Sequence, residues 1–149
     1  MSRAARGYVE LVLLAAIVVL TLSTAYLHYW VGGTMLMLNA AGYLGLTVLV
    51  VGSAVVFRSA LPLVLVALAG YAAVTILGWL VMGPYFNTAY LAKAIELVLI
   101  ATIGVQLWRT RDELVSAVAW SRSLLATAYR RITRQPVAEA TPATPASEE

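Results

Sequence analysis

Between Tyr8 and Trp108 the chain offers four apolar stretches, each long enough to cross a bilayer and separated by only a few residues. A hydrocarbon core ~30 Å thick takes about 20 residues of helix. Residues 8–30, 34–57, 61–82 and 88–108 all meet that length. Lipid supplies no partner to a stray backbone N–H or C=O, so spans of this kind are predicted as helices. The period-2 alternation of a membrane strand is absent. Connections this short force consecutive helices to lie antiparallel. The expected fold class is therefore all-α: a membrane four-helix up-down-up-down bundle over residues 1–108, followed by a basic amphipathic cytoplasmic helix over 109–134 and a disordered tail over 135–149.

Charge placement sets an orientation. Nine of the ten basic residues lie outside the spans, at Arg3, Arg6, Arg58, Arg109, Arg111, Arg122, Arg130, Arg131 and Arg134. The connections 31–33 and 83–87 carry no charge. Under the positive-inside rule both termini and the Arg58 turn are cytoplasmic, in a cell (plasma) membrane. Aromatic residues agree: Tyr26, Tyr29, Trp30, Trp79, Tyr85, Phe86 and Tyr90 gather at the outer boundary, and Tyr8, Phe57 and Trp108 at the inner one. Arg3 and Arg6 followed by an apolar run, with Ser23 and Ala25 beyond it, also fit a signal peptide. The run to Trp30 is long for one, so an uncleaved first helix is expected.

The chain has no cysteine, which excludes disulfides, thiol redox chemistry and thiolate metal sites. Its one histidine, His28, does not make a bis-histidine haem site. Neither a cofactor nor a metal is expected. Counting ~1.5 Å per residue places His28 ~3 Å from the outer end of its span, and the expectation is an interfacial side chain.

Charges inside a membrane are the default place to look for function. Here they are Lys93 and Glu96, three residues apart and hence on one helix face. The same count puts Lys93 ~8 Å and Glu96 ~12 Å deep, Asn39 ~8 Å, Tyr43 ~14 Å, Thr24 ~9 Å and Thr75 ~10 Å. All four spans thus bring polar groups to the outer half, with Thr47, Ser53, Thr102 and Gln106 further in. Lys93, Glu96, Asn39, Tyr43, Thr24 and Thr75 form a candidate polar layer, opening outward beneath Trp30 and Tyr85. It is read either as a ligand or proton site or, more plainly, as an ion pair fixing helix register. Lys93 is also shallow enough to snorkel outward. Glu10, about one turn inside the cytoplasmic boundary, is expected to reach headgroups.

Small residues at helical spacing (Ala41 and Gly45 with Gly52, Ala69 and Ala73, Gly70 and Gly78, Ala101 and Gly104) are expected at helix crossings within the bundle, or else at a homodimer interface. Beyond Trp108, Leu114, Val118, Leu125, Tyr129 and Ile132 share one helical face. Arg111, Arg122, Arg130, Arg131 and Arg134 surround it, and residues 109–134 carry a net charge of +4. Each basic group contributes about 1 kcal/mol of attraction to an anionic leaflet. The partners expected are the bilayer and its anionic headgroups, with a membrane-protein partner or a second copy as the alternative, and no nucleic acid. The Pro-, Ala- and Thr-rich tail from Gln135 cannot bury a core.

The segments Leu27-His28-Tyr29-Trp30 and Leu38-Asn39-Ala40, with Arg preferred over Lys and abundant Ala, resemble small uncharacterised four-span membrane proteins of high-GC bacteria. That resemblance implies a fold, a bacterial inner membrane and no activity. Three function classes follow in order. First is a non-catalytic accessory or interaction protein. Second is a small oligomeric transporter or channel using Glu96 and Lys93. Last is a lipid-active enzyme, for which the needed cluster of nucleophiles or metal ligands is missing from the sequence.

Overall fold

Five long helices account for nearly all of the described residues in the computed structural model, which describes residues 3–83 and 85–133. Helix α1 runs Arg3–Val31, α2 Thr34–Val55, α3 Leu61–Met82, α4 Asn87–Arg109 and α5 Arg111–Thr133. Four of them, α1 to α4, are long and apolar enough to cross a membrane. The side chains of Arg3, Arg6 and Arg131, together with Arg134 and the tail 135–149, lie outside the described residues. The chain divides into two units with the boundary inside α5, between Val118 and Ala119.

The helix ends have local causes. Between α1 and α2 the chain turns on Gly32 and Gly33, both at positive φ (78° and 89°), where an L side chain is strained. Span two stops at Val55, short of the expected Phe57. Phe57 leaves helical geometry (φ −130°, ψ 64°), and a 3-10 turn over Arg58–Ala60 leads into α3. Pro62 then sits in the first turn of α3, where its missing N–H costs nothing. The return into α4 is packed by aromatic rings. Trp79 meets Tyr90 edge-on at 5.2 Å and Tyr85 at 5.4 Å.

In the first unit, α1 packs on α2 and α4, and α3 packs on the same two helices, so each span has two neighbours in a ring. The inward residues recur every three or four positions: Ile17, Thr21, Thr24 and His28 on α1, and Tyr43, Thr47 and Val50 on α2. On α3 they are Leu61, Leu65, Leu68, Ala72 and Thr75, and on α4 Glu96, Leu99, Ile103 and Gln106. The outward faces are apolar, with Val19, Val48, Val74 and Leu97 all exposed. Polar groups inside and hydrocarbon outside suit a lipid surround.

The glycines among the small residues sit differently from the expectation, while Ala69 packs against the core. A Cβ at Gly45, Gly52, Gly70, Gly78 or Gly104 would meet nothing within 4 Å, so none of these marks a close crossing within the bundle. Small residues that are enclosed include Ala25, Ala40, Ala72 and Ala92. Two glycines are tight: a Cβ on Gly83, at the end of α3, would collide with Trp79, and one on Gly42, inside α2, with the Tyr71 hydroxyl. Near the opposite end of the bundle, Arg58 lies 3.8 Å from Glu10, giving the acid a protein partner. Within α5, Val115, Trp120, Leu125 and Tyr129 are exposed, as are Arg111, Arg122 and Arg130. The described part of the C-terminal unit, residues 119–133, is one helical segment.

The Gly32–Gly33 turn yields a first test. Open space surrounds both positions, so alanine there meets only backbone strain of roughly 1–2 kcal/mol per residue. Gly33, at φ 89° and ψ 144°, is in a region essentially restricted to glycine. Gly33→Ala is expected to lower thermal stability in detergent micelles, with the helical circular dichroism of the folded state unchanged. An unshifted melting temperature would show that the turn relaxes freely.

Candidate functional site

The chemistry of the bundle converges on one carboxylate. Lys93 and Glu96 are one turn apart on α4, and both point inward. Glu96 is fully enclosed, and Lys93 is buried beside it. Lys93 Nζ donates to Glu96 Oε2 at 2.8 Å and to the Thr75 carbonyl oxygen at 3.3 Å. Instead of snorkelling toward headgroups, the ammonium group folds back into the bundle. Charge-assisted bonds of this kind contribute about 1.5–3 kcal/mol each, against the large cost of holding a charge away from water.

Helix α3 supplies Thr75 as the next link. Its hydroxyl lies 3.0 Å from Glu96 Oε2 and 2.8 Å from the Ala72 carbonyl oxygen. The carboxylate is the stronger acceptor. With the Thr75 proton given to Glu96, the Tyr43 hydroxyl on α2 donates to Thr75 Oγ1 at 2.9 Å. A directed chain Tyr43 to Thr75 to Glu96 results. Tyr43 is itself fully buried and meets the edge of Tyr71 at 4.9 Å and 83°. Tyr71 in turn donates to Asn39 Oδ1 at 2.8 Å. Gly42, one turn after Asn39, leaves the gap that the Tyr71 hydroxyl occupies.

Helix α1 closes the layer with His28, which corrects the interfacial expectation. The imidazole is only 5% exposed, with Nε2 3.6 Å from Glu96 Oε1 and Nδ1 2.8 Å from the Thr24 carbonyl oxygen. Its ring lies 5.7 Å from that of Tyr43. Two acceptors in this region receive nothing from any described residue: Glu96 Oε1 and Thr24 Oγ1.

The structure thus brings Lys93, Glu96, Thr75 and Tyr43 into one hydrogen-bonded network. Asn39 joins it at one remove through Tyr71. Thr24 joins through its backbone carbonyl, while its buried hydroxyl bonds no described residue. Sequence reasoning missed His28 as a member and did not single out Tyr71. A usable signal existed: His28 continues the inward spacing of Ile17, Thr21 and Thr24, and Tyr71 is one turn before Thr75. Deeper in the bundle, Thr47 and Ser53 bond carbonyls of their own helix, and Gln106 is buried with Oε1 unpartnered.

The expected outward opening is not where the cavity lies. A cavity of about 440 Å³ sits on the flank between α1 and α4, lined by Val19, Leu22, Leu91, Ile95 and their apolar neighbours. It is a largely apolar groove, separate from the polar layer. Among the described residues no three His, Asp or Glu side chains gather as a metal site. Comparison with protein-family models, with characterised proteins and with solved structures finds no match for the chain.

Gly42 and Tyr71 provide the second test. Gly42→Ala should displace the Tyr71 hydroxyl from Asn39 and destabilise the protein by about 1–3 kcal/mol, the range for overpacking. In a Tyr71→Ala background the same substitution should cost much less, because the colliding atoms are gone. Equal costs in the two backgrounds, measured by thermal unfolding, would remove the proposed contact.

Proposed function

We propose that the chain is a non-catalytic integral membrane protein, an accessory or interaction protein whose four spans run antiparallel with both termini in the cytoplasm. The observation that carries this reading is the closure of the polar layer. Glu96 is fully enclosed, Lys93 is turned onto it, Thr75 of α3 and His28 of α1 hold or face the carboxylate, and Tyr43 of α2 reaches it through Thr75. A charge so held serves as a clasp between helices, and what remains for partners is the outer helix surfaces and the basic segment after Trp108.

Two features support the antiparallel arrangement. Glu10, early in α1, is near Arg58, just after α2. His28, late in α1, faces Glu96, which lies in the first half of α4. Arginines at Arg58, Arg109, Arg111, Arg122 and Arg130 favour one cytoplasmic side. The exposed Leu125 and Tyr129, with Arg122 and Arg130, support a helix lying on an anionic leaflet of the plasma membrane. Topology reporters fused after Glu149 and inserted in the 83–87 connection should report opposite compartments, and an outside C-terminus would overturn this orientation.

One observation favours the second reading, a small oligomeric transporter or channel: Glu96 Oε1 has no hydrogen-bond donor. A double-mutant cycle separates the two. For a clasp, Glu96→Gln or Lys93→Met alone should destabilise the protein strongly, on the order of 3–5 kcal/mol. Replacing both should recover much of the loss. For a transporter, Glu96→Gln should leave detergent stability nearly unchanged while abolishing ion flux in vesicles containing the purified protein. Additive stability losses, or flux that depends on Glu96 in a stable variant, would overturn the clasp.

A further inference from the structure

The contact between His28 and Glu96 is short of one hydrogen. His28 Nδ1 is 2.8 Å from the Thr24 carbonyl oxygen. A carbonyl only accepts, so Nδ1 carries a hydrogen. In a neutral ring the other nitrogen, Nε2, then presents a bare lone pair. That lone pair faces Glu96 Oε1 at 3.6 Å. Oε1 is itself an acceptor, fully enclosed, and receives no hydrogen bond from any described residue.

Two buried acceptors therefore confront each other. Leaving one unpaired costs about 1–3 kcal/mol, and more when it is charged. A bridging water does not relieve the conflict. Two hydrogen bonds of about 2.8 Å meeting at one oxygen separate their far ends by roughly 4.5 Å, well beyond the observed gap.

The Thr24 hydroxyl makes no hydrogen bond to Glu96 Oε1 or to any other described residue, and the remaining neighbouring donors are engaged elsewhere. From α4, Lys93 donates to the other carboxylate oxygen and to Thr75 O. From α2, Tyr43 is directed to Thr75, and from α3, Tyr71 to Asn39. On α1, the ring's own Nδ1 hydrogen is held by Thr24.

We infer that one proton resides between His28 Nε2 and Glu96 Oε1, which makes the α1–α4 contact a buried proton-binding site. The proton comes from and returns to water, with no co-reactant. It is carried either by the ring, as an imidazolium donating to the carboxylate, or by the acid, donating to a neutral ring. With the proton, the Lys93–Glu96–His28 cluster bears one net positive charge. Without it, the cluster is neutral but the two lone pairs oppose each other. Proton occupancy therefore decides whether the His28 end of α1 is hydrogen-bonded to α4 at this depth. This inference goes beyond the clasp, since a clasp requires only Lys93 and Thr75 on the other oxygen.

The single histidine makes the test specific. The full-length chain, 15N-labelled at histidine and placed in phospholipid vesicles at neutral pH, is examined by NMR of the ring nitrogens and by infrared absorption of the carboxyl group. One of two patterns is expected: hydrogen on both ring nitrogens with Glu96 ionised, or a hydrogen-free Nε2 with a protonated carboxyl band that disappears when Glu96 is replaced. In the charge-balanced double variant Lys93→Met/Glu96→Gln, the new amide offers an N–H to Nε2, so Nε2 should be hydrogen-free. A hydrogen-free Nε2 together with an ionised Glu96 in the unmodified protein at neutral pH would overturn the proposal. That measurement decides the matter without any variant having to fold.

Discussion

The rest of the bundle is arranged around the problem of keeping the Glu96 carboxylate among hydrocarbon. A charge placed there by one helix has to be answered by the others, because neither lipid nor an enclosed core solvates it. Lys93 answers from the same helix, Thr75 from α3 and His28 from α1, while Tyr43 on α2 reaches it through Thr75. This requirement fixes the rotation of each helix about its axis. An apolar seam alone would tolerate several rotations, since Leu, Val and Ala pack nearly as well on either side. A carboxylate with directional partners tolerates far fewer.

The same requirement explains why the inward stripes mix polar and apolar residues. Towards the deeper end, Leu99 and Ile103 on α4 meet Leu61, Leu65 and Leu68 on α3 and Val50 on α2 in one enclosed cluster. There the packing is contact without direction. Thr21, Thr47 and Ser53 on these faces return their hydroxyl hydrogens to carbonyls one turn back, so they ask nothing of a neighbouring helix. Specificity is concentrated in the outer layer, and close packing in the inner one.

The spans were legible in the sequence because length and hydropathy are one-dimensional. The apolar stretches end within a few residues of α1 to α4, and the differences lie at Phe57 and at the N-terminal reach of α1. Depth is also one-dimensional, and counting residues from the helix ends was enough to bring Lys93, Glu96, Thr75 and Tyr43 to one level. Azimuth is not. His28 is close to a helix end, and its depth alone suggested the interface, whereas its phase with Ile17, Thr21 and Thr24 points it inward. The glycines failed for a related reason. Spacing by four finds a stripe without saying which way it faces, and the tight position inside a span is Gly42, between Ala41 and Tyr43 and outside the Gly45 and Gly52 stripe. Only a partner side chain, here Tyr71, distinguishes them.

The four helices are not held to the carboxylate equally. Helix α4 carries it, α3 contacts it through the Thr75 hydroxyl and receives the Lys93 ammonium at a backbone oxygen, and α2 is tied to α3 through both Tyr43–Thr75 and Asn39–Tyr71. Each of these contacts pairs a donor with an acceptor. Helix α1 differs: the contact it makes with the layer is an imidazole facing an unpartnered oxygen at 3.6 Å. Its other charged contact, Glu10 with Arg58, lies about 18 residues away, a separation of roughly 27 Å along the helix. Between these points α1 relies on apolar burial at Ile17 and Ala25 and on the lipid around it. With its proton in place the His28 end is bonded, and without it that end is held by packing alone. A proton at His28 therefore acts on one helix out of four, and the groove between α1 and α4 is where a change in that attachment would first alter the surface presented to the bilayer.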